Sequence, residues 1–183
     1  MNTFILLAEF FRYPTPGLAE ELRLGLEQLP AGPAKKSLDA FLKPLQTLPP
    51  GEWEELYTRT LDLNPLATPY VGFQIYGESY QRGNFMALLN REMRQHQIDL
   101  GGELPDHLLP VLRYLGAVSE PIPELVEALL PAVRRMQAVL RKAEPGNPYI
   151  HLLDAVEQVC QTLKKPDLTK RPVTSKIYKG DRL

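Results

Sequence analysis

Side chains able to ligate a metal or move a proton crowd into one short stretch of the chain: His96, Asp99, Glu103, Asp106 and His107. Zinc sites carried on helices place two ligands at i and i+4, or join Cys and His pairs. The two histidines here have neither spacing, no HExxH frame surrounds them, and Cys160, the single cysteine, lies far along the chain. These residues therefore read as solvated charge beside a loop, with no metal. Nucleophilic catalysis fits no better. Ser79, Asp106 and His107 supply the residue types of a triad, but neighbours on a helix point about 100° apart, so Asp106 cannot orient the imidazole beside it. GxSxG, GxxxxGK[ST] and GxGxxG are all absent, and the expectation is a protein that is not an enzyme.

Capture of a peptide suits the same residues better. In GGELPDHLLPVLRYLG the apolar residues Leu104, Leu108, Val111, Leu112 and Leu115 have helical spacing. Pro105 suits a first turn, and Pro110 lacks the N–H that would bond the carbonyl of Asp106, which leaves an acceptor beside a carboxylate and an imidazole. Such a cluster grips a peptide or caps its own helix. Upstream, Asp62 to Pro69 (DLNPLATP) cannot continue a helix, because each proline holds its predecessor extended. If these two loops converge, Tyr57, Leu61 and Tyr76 wall an apolar groove edged by Asp62, Glu78, Glu103, Asp106 and His107. Core packing is the rival reading for Tyr57 and Tyr76, and helix capping for Asp106.

The elements that position these residues are all helical. Helices are predicted over Thr3–Phe11, Gly17–Leu29 (Thr15 as N-cap, Pro16 in the first turn), Pro33–Leu45, Glu52–Leu61, Tyr70–Tyr76, Ser79–Gln97 and Leu104–Ala117. Pro123 starts a further helix that Pro131 is expected to kink, and Asn147 caps a last one. The fold class expected is all-α, an irregular single-domain bundle of about eight helices over residues 1–165, followed by a basic, proline-containing tail over 166–183.

Composition sets the remaining bounds. One cysteine excludes an internal disulfide and a multi-cysteine metal cluster, and its helical apolar surroundings predict a buried thiol. The N-terminal apolar run lacks a basic flank and is interrupted by Glu9, so it reads as no secretory signal, and no stretch reaches the length of a membrane span. Of the net charge of −1, the segment Lys164–Leu183 holds seven basic against two acidic residues, leaving −6 on the body. A mildly acidic helical body is a poor binder of nucleic acid and a better one of cationic peptides. The pair Lys170 and Arg171 suggests a tail that mimics such a peptide.

Certain of these pieces, in order, carry a resemblance: LDL at Leu61–Leu63, FQIYGES at Phe73–Ser79, Arg82-Gly83, and ELPDHLLPVLRYL at Glu103–Leu115. Together they resemble the redox-enzyme maturation chaperones, the all-helical family of the nitrate reductase delta subunit NarJ with TorD and DmsD, and fit its NarJ-like branch best. The resemblance implies a cytoplasmic chaperone that binds the N-terminal segment, often a twin-arginine signal peptide, of the catalytic subunit of a molybdenum oxidoreductase. It would hold that subunit until the molybdenum cofactor is inserted. It implies no cofactor held stably by the chaperone itself, cofactor-delivery proteins as further partners, and a monomer or dimer. Asp106 and His107 match the family's Asp-His pair. A permanent helical scaffold subunit is the alternative, and a small metal-dependent hydrolase the third class.

Overall fold

The computed structural model describes residues 2–49, 51–63, 65 and 67–163. The expected basic tail, Lys170 and Arg171 included, lies outside the described residues. Helix α1 (Thr3–Glu9) is capped by Asn2, whose side chain accepts from Phe4 N at 2.9 Å and donates to the Gly116 carbonyl at 3.0 Å. That second bond ties α1 to α7 (Leu108–Ala117), and the absence of a side chain at Gly116 permits the approach: a Cβ there would lie 2.5 Å from Ile5 Cγ1. Helix α2 (Leu18–Glu27) starts one residue after the predicted Gly17, and its N-cap is Gly17 where the sequence predicts Thr15. Gly17 takes φ 91° and no side chain caps the helix, since a glycine reaches that conformation without steric cost.

Helix α3 (Pro33–Leu45) has the bounds its leucine stripe predicts, with Pro44 accommodated in the last turn. Helix α4 (Glu52–Tyr57) passes into a π-turn at Thr58–Asp62, where Leu63 N bonds the Thr58 carbonyl at 2.9 Å, five residues back. The sequence predicts one continuous α-helix here. The wider turn is read only in three dimensions, because it is set by the loop that follows. Helices α5 (Val71–Tyr76) and α6 (Tyr80–Gln95) are separated by Gly77 at φ 62° and by Ser79, whose Oγ accepts from Arg82 N at 3.3 Å. Helix α8 (Pro123–Ala143) runs through Pro131 as one helix, and α9 (Tyr149–Cys160) completes nine α-helices among the described residues.

Their packing makes one core. Helix α9 lies against both α3 and α8, α1 against α7, and α5 against α8. Leu38, Leu89, Leu108, Leu112, Leu129, Met136 and Leu152 are fully buried, each side chain contributing about 1.5–3 kcal/mol of apolar transfer. A line of rings crosses this core, from Phe10 to Phe41 (5.8 Å between centroids), Tyr149 (5.0 Å), Tyr57 (6.3 Å) and Tyr13 (5.2 Å), where it reaches solvent. Buried Tyr57 and Tyr149 each need a partner for a hydroxyl: Tyr57 donates to the Phe11 carbonyl at 3.2 Å, and Tyr149 accepts from Trp53 Nε1 at 3.2 Å. No strand occurs among the described residues, only an isolated antiparallel bridge between Tyr70 and His107. No described helix is long and apolar enough to cross a membrane.

Candidate peptide-binding corner

The two proline-bearing loops do meet. Ala67 N bonds the Thr60 carbonyl (3.0 Å), which folds the first loop back onto the π-turn. Val71 N then bonds the Asp106 carbonyl (2.7 Å), and Leu108 N bonds the Pro69 carbonyl (2.9 Å). The acceptor that Pro110 leaves free is thus taken by main chain from the other loop. Helix α7 begins at Leu108, four residues later than its leucines predict, because residues 104–107 are committed to this seam. The second loop bends through Gly101 (φ 65°) and Gly102 (φ 85°) and is anchored by Arg113, which donates to Asp99 Oδ2 and to Glu9 Oε1, each at 3.0 Å.

The Asp-His pair lies inside this seam, which corrects the expectation that it edges a groove. Asp106 has no exposed surface; Arg82 Nε donates to its Oδ2 at 2.9 Å and Arg82 Nη2 to its Oδ1 at 3.4 Å. The cap of α7 is His107, whose Nδ1 accepts from Leu109 N at 3.0 Å, and not Asp106. The imidazole is sealed between Phe11 and Tyr70, with ring centroids at 6.4 and 5.1 Å, and burial holds its pKa down to about 3. A neutral, buried imidazole and a carboxylate already held by arginine offer a peptide nothing to touch. Tyr57 and Leu61 are likewise buried in the core and do not wall a groove. Burial raises the Tyr57 phenol, aided by Glu103 and Asp62.

What the seam presents outward is a smaller group. Tyr70 donates to Glu103 Oε2 at 3.2 Å, and exposed Asp62 on the π-turn is near enough to act on the same carboxyl. Burial first, then Asp62, pushes the Glu103 carboxyl above its ordinary range, against the lowering bond from Tyr70. Burial and Glu103 push the Tyr70 phenol up to about 12. Many acids elsewhere meet arginines, among them Glu9, Glu20, Glu21, Glu27, Asp99, Asp106, Glu144, Asp154 and Glu157. Asp62 and Glu103 form no ion pair among the described residues. Exposed Leu63, Leu104 and Tyr13 are the apolar neighbours in sequence and packing, and Tyr13 donates to Glu54 Oε2 at 3.3 Å.

Tyr76 and Glu78 lie at the other end of α5, whose six residues span about 9 Å. Tyr76 is partly exposed and packs on Phe85 at 5.6 Å, and Glu78 is exposed in the following turn. Two hollows, of about 500 and 680 Å³, lie elsewhere: beside Pro44, Leu56, Arg59 and Asn147, and between the start of α1, the α2–α3 turn and the end of α9. Neither is lined by Asp62 or Glu103. Reading the sequence misses Tyr70, Tyr13 and Arg82 as members of the site. Nothing in the spacing around Arg82 marks its contact with Asp106, which only the fold shows. No group of three His, Cys, Asp or Glu among the described residues is placed to hold a metal.

The frame is an all-α domain that presents Asp62, Glu103 and Tyr70 at the seam of two loops. No protein-family model matches the chain. It is 28% identical over 171 residues, covering 88% of this chain and 71% of the other, to the nitrate reductase molybdenum cofactor assembly chaperone NarJ of Escherichia coli strain K12, and equally to that of strain O157:H7. Over 149 residues, 80% of this chain, it is 32% identical to the nitrate reductase-like protein NarX of Mycobacterium tuberculosis H37Rv, of which the match covers 21%. The resemblance to the NarJ-like assembly chaperones is borne out over most of the chain.

Proposed function

We propose that the protein is a maturation chaperone for a molybdenum oxidoreductase, acting in the cytoplasm and binding the N-terminal segment of the catalytic subunit until the molybdenum cofactor is inserted. One observation carries the choice of surface: Asp62 and Glu103 stand together, without an ion pair, at the seam of two loops that main-chain bonds hold in place. A segment with a basic residue followed by apolar ones supplies the missing cation and covers Tyr70, Leu104 and Leu63. The cofactor belongs to the client, and this chain holds none of its own.

The test is binding of peptides from the N-terminus of the catalytic subunit of a molybdenum oxidoreductase, measured by fluorescence anisotropy. Glu103→Gln, at the partly buried carboxyl, should weaken binding about 10- to 100-fold, the worth of a charge-assisted hydrogen bond, and Asp62→Asn, at an exposed one, about 2- to 5-fold. Binding should also weaken with salt, since exposed attractions are screened over about 8–10 Å at physiological ionic strength. Wild-type affinity in the double variant, or no salt dependence, refutes the site.

The match to a fifth of the longer NarX chain favours a second reading, in which the helical domain is a permanent part of a redox assembly. Purification of the mature oxidoreductase decides: a chaperone is absent from it, and a subunit stays.

A further inference from the structure

The ion pair between Arg82 and Asp106 is more elaborate than a structural tie needs to be. Asp106 is fully buried and Arg82 nearly so, with 15% of its side chain exposed, and such pairs recover their desolvation cost only when the geometry is well satisfied. Here it is satisfied from several sides. The guanidinium reaches both carboxylate oxygens and lies over two rings, Tyr70 at 5.4 Å and Phe73 at 5.5 Å. Room for the pair is made by Gly72, where a Cβ would lie 2.7 Å from Asp106 Oδ2 and 3.2 Å from Arg82 Cγ. Three positions far apart in sequence are thus matched to one another.

One ring connects this pair to the acid corner. Tyr70 rests on the Arg82 guanidinium with its face and donates to Glu103 with its hydroxyl. Arg82 itself does not touch Glu103. The loop that carries Glu103 is fixed at one flank by Arg113 on Asp99 and at the other by Arg82 on Asp106, so Glu103 is suspended between two arginine anchors.

We propose that Arg82 is a positioning residue for the peptide-binding corner: by clasping Asp106 and supporting the Tyr70 ring it sets the place at which Tyr70 and Glu103 meet a client cation. This rests on the reading of Asp62 and Glu103 as the binding acids. Arg82 touches no client, and its effect passes entirely through Tyr70 and the 99–107 loop. Lysine keeps the charge but cannot form the two-pronged contact or lie flat on the rings.

The experiment uses the full chain and a fluorescent probe peptide with two adjacent arginines followed by apolar residues. Arg82→Lys and Gly72→Ala are each made in the wild-type and Glu103→Gln backgrounds, with thermal unfolding recorded for all. Gly72→Ala changes no charge, so it opens the clasp by crowding alone. The expected result is that each variant weakens binding about tenfold when Glu103 is present and has little further effect when it is glutamine, since coupled residues are not additive. The carboxyl carbon of Glu103, followed by NMR, should titrate lower in both variants as the loop admits water. Binding and Glu103 titration equal to wild type, or the same loss in both backgrounds, overturns the proposal, because a merely structural residue gives one of those patterns. If Glu103→Gln alone binds as wild type, the acid-corner reading itself is what fails.

Discussion

Asn147 gives the most direct test of how the π-turn under the acid corner is held. Its side chain is buried and makes several bonds at once: Oδ1 accepts from Tyr149 N at 2.9 Å, capping α9, while Nδ2 donates to Thr60 Oγ1 at 3.0 Å and to Glu144 Oε2 at 2.8 Å. Thr60 is in the π-turn, has no exposed surface, and its carbonyl receives Ala67 N. Asn147→Ala removes a helix cap, costing about 1 kcal/mol. It also leaves the Thr60 hydroxyl without this partner in a dry place, costing about 1–2 kcal/mol more. The sum of about 2–3 kcal/mol corresponds to a fall in Tm of about 5–10 °C for a domain of this size. Asn147→Asp keeps the acceptor for Tyr149 N but replaces the donating Nδ2 by a buried carboxylate oxygen set against Glu144, so at neutral pH a loss at least as large as alanine's is expected. Urea unfolding followed by Trp53 fluorescence is the assay, since Trp53 bonds Tyr149 in the capped turn and an unchanged m-value confirms that native stability alone has moved. Asn147→Ala within about 0.5 kcal/mol of wild type, or Asn147→Asp as stable as wild type at neutral pH, refutes the account, because a lost cap or a buried pair of carboxylates costs more than that.

Glu103 should link stability and binding to pH. Its folded pKa is raised above the unfolded value, so the folded state holds the proton more tightly, and stability declines as pH rises from the unfolded pKa through the folded one. Glu103→Gln should therefore be more stable than wild type at neutral pH, while affinity for a cationic peptide should rise with pH over that same window in wild type only. Titration of unfolding and of binding in parallel checks both. Cys160 is buried and its thiol is pushed up to about 12, chiefly by burial. A disulfide exchange reagent should react with it only as fast as the protein unfolds, and at once in denaturant, because the thiolate is the reactive form.

Helices with a single leucine stripe were legible from the chain: α3 has the bounds its spacing predicts, and Gly77, Ser79 and Asn147 do the terminating and capping their types suggest. The cap of α2 is Gly17 where the sequence predicts Thr15, because Thr15 and Pro16 offer a stronger local signal than a glycine whose left-handed backbone depends on how the turn packs. The prolines mark the two loops as breaks between helices, but their meeting stands in the sequence only as a condition, since main-chain bonds such as Val71 to Asp106 leave no mark on residue type. For the same reason the Asp-His pair read as a recognition surface: a carboxylate at a helix entrance looks alike in sequence whether it faces water or an arginine from another helix. Asp62 and Glu103 were visible as loop acids, yet only the fold shows that arginines neutralise many of the acids around them.

Because backbone amides and carbonyls stitch the two loops together, the scaffold of the rim is indifferent to the letters written on it. Positions 62, 63, 103 and 104 can change identity while the stitches at 60, 69, 71, 106 and 108 stay in register. If the corner binds as proposed, a new cargo needs surface substitutions alone, as a type block is reset while its frame stays locked.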